Sequence, residues 1–383
     1  MTLLAFLLAT VGGVSALIAY TLTAQLRSWD RIVVFIDFFA LGVLALMLDA
    51  VARRWFQDRR LLAAIGLVVL CLFGVFDQSS RNAVPDYKLV TRNWNSDAQF
   101  VERIQRTLPR NAAVFELPYV TFPEAVPFNG IQSYDQLRGW LHSTTLSWSF
   151  GAMVDRPADW AGQTTALPTR TLLDALVAAG FDGITIDDHG YPGNTSPVTP
   201  ELEQILHEQP VTAPNGRYLF FDIRHYAAML RAHVSHAELA GLRTAVLHPP
   251  LSTITAGIYG GGVDGTSTWA VNTVQMSVVN HAAKARRVVF YAEVRAAAPG
   301  NYTLDVALAG GGRHRFRFSN HQRLLEFALT LAPGASTLTL DTNVPPTLIP
   351  GTSAPVSVWY SSPLVVGAAM RPFLPRSAAA ALQ

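Results

Sequence analysis

A single cysteine, Cys71, serves the whole chain of 383 residues, which excludes an internal disulfide and any cysteine-built metal site. Charge is scarce as well. Asp, Glu, Lys and Arg make up 15% of the residues against 50% hydrophobic, too apolar a balance for an ordinary soluble protein. A net charge of +2 is too small to draw a nucleic acid as partner. The sequence also lacks G-x-S-x-G, a P-loop, G-x-G-x-x-G and H-E-x-x-H, and neither a cofactor nor a metal is expected from it.

The apolar residues are segregated. Residues 2–24 form one long run, residues 32–48 a second broken only by Asp37, and residues 61–76 a shorter third. A span needs about 20 apolar residues, so residues 1–76 are expected to form three transmembrane helices. The link "ARRWFQDRR" carries Arg53, Arg54, Arg59 and Arg60, while "QLRSWDR" carries only Arg27 and Arg31. The Arg-richer loop belongs in the cytoplasm, which places the N-terminus inside and everything after Phe76 outside. Cys71 falls within the third run, so the exported part has no thiol.

Beyond the membrane part, residues 77–95 read as a linker. Ser96 with Gln99 has the form of a capping box opening a helix that Pro109 stops. "AAVFELPY" reads as a buried strand. A helix from about Thr169 to Gly180 leads into a second buried strand, "FDGITID", and Thr199 with Pro200 opens another helix. "PVTAPNGRYLFFDI" reads as a hairpin around Asn215-Gly216, with the sequence of a type I′ turn. Strands alternating with helices predict an extracytoplasmic α/β domain over residues 96–248. From about Leu251 strand follows strand, which predicts a β-sandwich over 249–370 and a tail over 371–383.

Five groups of residues could carry chemistry or binding. Asp37 is a carboxylate inside a span and should face a partner or water. Arg27 and Arg31 lie at the outer leaflet, where guanidiniums hold lipid phosphate. Asp187, Asp188 and His189 end a predicted strand, where α/β sheets place ligands. Adjacent strand residues point to opposite faces, however, so the two carboxylates should diverge. Glu116 and Glu124 in "VFELPYVTFPE" offer the carboxylate pair that glycoside hydrolysis needs. Finally, "SYDQLRGWLHSTTLSWSFGAM" holds Tyr134, Trp140, His142 and Trp148 among many hydroxyls, with only Asp135 and Arg138 charged. Those rings fit either a glycan-facing surface or the closing of the α/β core.

"RSWDRIVVFIDFFAL", "VFELPYVTFPE", "YDQLRGWLHSTTLSWSFGAM" and "LVAAGFDGITIDDHGY" together resemble the C-terminal portion of bacterial multi-pass membrane proteins of the GT-C type. These are lipid-carrier-dependent glycosyltransferases, often called sugar translocases. The resemblance implies a bacterial cytoplasmic-membrane protein in envelope glycan assembly, with a polyprenyl-phosphate-linked sugar or an envelope glycan as ligand. Asp30 stands where that family would have an asparagine. The family also carries its catalytic carboxylate on an early extracytoplasmic loop, and nothing in this chain matches that loop. A partner chain with further spans would then be required, with this chain a fragment or subunit. A non-catalytic glycan-binding scaffold and an exported hydrolase are the alternatives.

Overall fold

The computed structural model describes residues 14–21, 33–55, 59–78, 85–123, 125, 127, 129–154, 156, 158–261, 267–349, 352 and 354–375. The chain divides into two units, residues 1–87 and 88–383.

The first unit contains three helices, α1 (Val14–Thr21), α2 (Val33–Trp55) and α3 (Arg60–Gln78). At about 1.5 Å per residue, α2 is about 34 Å long, enough to cross a hydrocarbon core of about 30 Å. Among the described residues only its stretch Val34–Trp55 is both long and apolar enough to span a membrane. The three expected spans are not supported as such. Arg60 opens α3, and the apolar stretch within it is only Ala64–Asp77, which falls short of a full crossing. The first expected span lies mostly outside the described residues.

Helix α4 (Tyr87–Thr107) starts at the last residue of the first unit and lies otherwise in the second. The expected linker therefore turns helical nine residues before the capping-box signal. Ser96 is not an N-cap but a buried mid-helix residue, and its hydroxyl accepts a hydrogen bond from the Asn215 backbone N–H at 3.1 Å. Phe100, Val101, Ile104 and Leu108 face inward, as their spacing predicts.

Five strands form a mixed sheet in the order β2-β1-β3-β5-β4. They are β1 (Ala113–Leu117), β2 (Ser147–Trp148), β3 (Gly183–Asp187), β4 (Val211–Thr212) and β5 (Tyr218–Asp222). The first three run parallel, and β5 runs antiparallel to both β3 and β4. Between these strands lie α5 (Leu137–His142), α6 (Ala161–Thr165), α7 (Thr169–Ala179) and α8 (Val198–Leu206). Gly180 caps α7 at φ 101°, a left-handed conformation that only glycine adopts freely. The β4–β5 turn is not type I′. Only Gly216 takes a positive φ, at 77°, while the Asn215 side chain accepts the Arg217 N–H at 3.1 Å.

Period-two alternation splits the sheet residues between two faces. Phe115, Leu117, Ile184, Ile186, Leu219 and Phe221 pack on one side with α7 and α8. Val114 and Phe220 pack on the other with α4. Two further helices follow, α9 (Arg224–His233) and α10 (His236–Leu247), with Ser235 and Glu238 forming the capping box between them.

Strands β6 (Leu251–Gly261), β7 (Ser267–Asn280), β8 (Arg286–Ala296), β9 (Asn301–Leu308), β10 (Arg313–Ser319), β11 (Arg323–Leu331), β12 (Gly334–Thr342) and β13 (Val358–Gly367) complete the fold. They make one antiparallel eight-stranded sheet, β10-β9-β12-β7-β13-β8-β11, with β6 added alongside β7. This sheet curls so that β10 approaches β8 and β11, enclosing a sandwich-like core around Met276, Phe290, Leu304, Leu338 and Val358. Long β7 makes the curl possible. Its end half pairs with β12 and its start with β13. Val289, Tyr291, Leu364 and Val366 on the outer side of the curled sheet join the core of the α/β part.

Candidate functional site

Strand register brings two of the candidate carboxylates together. Glu116 sits opposite Thr185 across β1 and β3, so Asp187, two residues further along, shares its face. Both line a cavity together with Asp97 of α4, Asp135, Arg138 of α5, Trp148 of β2 and Tyr218 of β5. The space amounts to about 380 Å³ where its opening to solvent is included, but it leaves only about 30 Å³ for the centres of water-sized molecules. A water needs about 10–15 Å³ on that measure, so two or three waters fit and a sugar ring does not.

An alternating chain of charges crosses the cavity wall. Arg138 reaches Asp97 at 2.9 Å and Asp135 at 3.0 Å. Arg217 then reaches Asp135 at 2.8 Å and grips Asp187 through Nε at 2.9 Å and Nη2 at 2.5 Å. Asp135 and Asp187 are buried. Burial raises the pKa of Asp135, but the Arg217 hydrogen bond, the Gln132 N–H and the charges of both arginines outweigh it and hold it below the ordinary carboxylate range. Desolvation wins at Asp97, whose pKa is raised although Arg138 opposes the change. Arg217 itself is driven further into its charged form, because its bonds to Asp187 and Asp135 outweigh its burial.

Glu116 has no cationic partner in that chain. It is buried, and burial pushes its pKa to about 8 even though the N–H of Phe150 donates to Oε2 at 2.9 Å. At neutral pH it is a carboxylic acid rather than a carboxylate. Around it, Asp97 Oδ1, Trp148 Nε1 and the Tyr218 hydroxyl are buried with no hydrogen-bond partner among the described residues. Most of the surface the cavity exposes is apolar, and these three groups are the ones placed to order water within it.

The other candidates fall elsewhere. Asp188 begins a 3₁₀ turn and accepts the Ser196 N–H at 3.1 Å, so it does diverge from Asp187. Burial raises its pKa. His189 contributes backbone bonds, donating N–H to Asp187 Oδ1 at 3.1 Å and accepting from Gly130 at 2.7 Å. Among the described residues no three His, Cys, Asp or Glu side chains are placed to hold a metal. Glu124, Arg27 and Arg31 lie outside the described residues. Asp37 is exposed one turn into α2.

The four aromatic candidates separate into two pairs. Tyr134 and Trp140 are exposed, Trp140 at 61%. His142 is half-buried against Trp94, with ring centroids 4.1 Å apart, and burial lowers its pKa. Trp148 serves the interior. Its ring packs so tightly on Gly139 that a Cβ there would meet it at 2.6 Å. Asp97 and Arg217 were not singled out from the sequence. Asp135 and Arg138 carried a signal, as the two charged residues of an otherwise aromatic and hydroxyl-rich stretch.

No family model matches the chain, and no curated protein matches it in sequence. Among solved structures it is similar over 30% of its length to a CBM35 module from Cellvibrio japonicus Abf62, at 12% identity, 97% coverage of that chain and a TM-score of 0.20. A Xyl-CBM35 in complex with a glucuronic acid containing disaccharide is similar over 30% of this chain and 93% of its own, at 12% identity and a TM-score of 0.21. A ruminal GH26 endo-β-1,4-mannanase is similar over 29% of this chain and 25% of its own, at 12% identity and a TM-score of 0.19. Likenesses this slight carry no inference of substrate or activity.

Proposed function

We propose that this chain is a membrane-anchored protein of the bacterial envelope that holds a glycan without cutting it, within glycan assembly or transfer from a lipid carrier. The observation that carries the reading is the exposure of Trp140 on α5 and of Tyr134 just before it, next to the charge cluster that ties α4, α5 and β3 together. Flat apolar rings accept the C–H face of a sugar, and the ion pairs hold the helix that presents Trp140 in place. Cleavage is disfavoured by the cavity. It has no room for a sugar ring, and Asp135 and Asp187 are both engaged by arginine.

Anchoring rests on α2; a crossing by the first apolar run and by the whole of α3, whose 19 residues reach about 28 Å with Arg60 at the membrane surface, would leave residues beyond Phe76 outside. Arg27 and Arg31 would hold the polyprenyl-phosphate headgroup, with Asp37 orienting one of them from below, and a partner chain would supply a catalytic loop. The test is glycan-dependent tryptophan fluorescence of the detergent-solubilised full chain. Trp140→Ala should abolish the change while the protein stays folded, and an unchanged response would overturn the reading. A reporter active only outside the cytoplasm should respond when fused after Asp77 and stay silent at Gln57; the reverse would overturn the envelope assignment.

A further inference from the structure

A second aromatic feature lies on the curled sheet, on the outer side of β6, β7, β13 and β8. Register places Tyr259 opposite Trp269, Trp269 opposite Trp359, and Trp359 opposite Arg295. Residues paired in this way share a face, and neighbouring strands lie about 4.8 Å apart, so the row extends about 14 Å. Its direction is fixed by what faces inward. Ala270, Val358, Tyr360, Val294 and Ala296 flank these positions and are buried, leaving the row half-buried on the outer face.

The guanidinium of Arg295 lies 5.5 Å from the ring centroid of Trp269 and 5.1 Å from that of Trp359. Both rings hold it by cation–π attraction. Among the described residues no carboxylate pairs with it. Glu293, two residues back on the same strand, takes a hydrogen bond from Gln322 instead. A guanidinium fixed by rings rather than by an acid keeps its planar fork of N–H donors for a ligand. That fork matches a carboxylate bidentately, while the remaining ring surface suits the C–H face of a sugar.

We propose that Trp269, Trp359 and Arg295, with Tyr259 at the end of the row, form a binding site for carboxylate-bearing saccharides such as uronic-acid polymers. Arg295 reads the carboxylate and the rings carry the sugar. The site is separate from the Trp140 surface and does not depend on it.

The experiment is affinity electrophoresis of the detergent-solubilised full chain through gels containing polygalacturonate, its methyl ester, or polyglutamate. Polygalacturonate should retard the protein and the methyl ester should do so much less. Arg295→Met should weaken retardation by polygalacturonate about tenfold, which is about 1.4 kcal/mol, and leave the methyl ester unaffected. Trp359→Phe, which keeps a flat ring and the packing, should retain binding, whereas Trp359→Ala should lose it. Trp140→Ala should leave polygalacturonate binding intact, so that failure here and failure of the proposed function can be told apart. Equal retardation by the acid and its ester, an unchanged Arg295→Met, or equal retardation by polyglutamate would each overturn the proposal.

Discussion

Replacing Glu116 by glutamine removes a titrating group from the interior while keeping an acceptor for the Phe150 N–H. The native pKa of about 8 lies above the unfolded value of 4.5. Between those two values the folded chain keeps a proton that the unfolded chain has released. The stability linked to Glu116 is therefore fully present below about pH 4.5 and lost progressively as pH rises through about 8. At about 1.4 kcal/mol per pKa unit the loss comes to about 5 kcal/mol above pH 8, and to about 3 kcal/mol at pH 7. Glu116→Gln should remove that slope. Urea unfolding of the detergent-solubilised chain, followed by tryptophan fluorescence, tests this, since Trp148 lines the same cavity. Near pH 5 the variant and the parent should be within about 1 kcal/mol, because an amide replaces a neutral acid of the same shape. By about pH 8.5 the variant should be the more stable by several kcal/mol. If the gap between their unfolding curves stays constant across that range, Glu116 is not a buried neutral acid, and the account of the cavity is wrong.

Other perturbations address the neighbours of Glu116. Arg217→Met leaves Asp187 without a cation and Asp135 with only Arg138, and should cost about 3–5 kcal/mol of stability, read as a lower urea midpoint. Adding Asp187→Asn should recover part of that loss in a double-mutant cycle. Gly139→Ala drives a methyl group into the Trp148 ring and should cost about 1–3 kcal/mol, with a changed near-ultraviolet tryptophan signal. Trp148→Ala should cost about 3–5 kcal/mol, whereas Trp140→Ala at its exposed site should stay within about 0.5 kcal/mol.

The local signals that read well were those whose physics is local. Gly180 ends α7 because its own φ is left-handed, and "FDGITID" becomes β3 because its apolar residues belong to a buried strand. Ser96 misled because a capping box is recognised from four residues, while the start of α4 is set by the longer helix that buries Phe100 and Ile104. The site was half legible. Glu116 and Asp187 could be named as candidates, but only the β1–β3 register shows that they share a face. Arg217 carries no signal in the sequence beyond following Asn215-Gly216, and its grip on Asp187 exists only once β5 is laid beside β3. Trp140 and Trp148, alike in sequence, part company because one lies on a short surface helix and the other on a strand under α4.

The edge of the curled sheet has a consequence for how copies of this chain meet. Strand β6 is paired along one side to β7, and a strand at the margin of a sheet invites a neighbour to add its own. Along β6 the register slips three times, between Ile254 and Ala256, Ala256 and Ile258, and Tyr259 and Gly261. At the middle slip Gly257 takes φ 89°, where a Cβ would lie 2.1 Å from the Thr273 carbonyl oxygen. Such bulges break the even spacing of N–H and C=O groups that an incoming strand must match. The β6 edge of each copy is therefore a poor template for a neighbour's strand, so that copies held close together on a surface gain little by joining there.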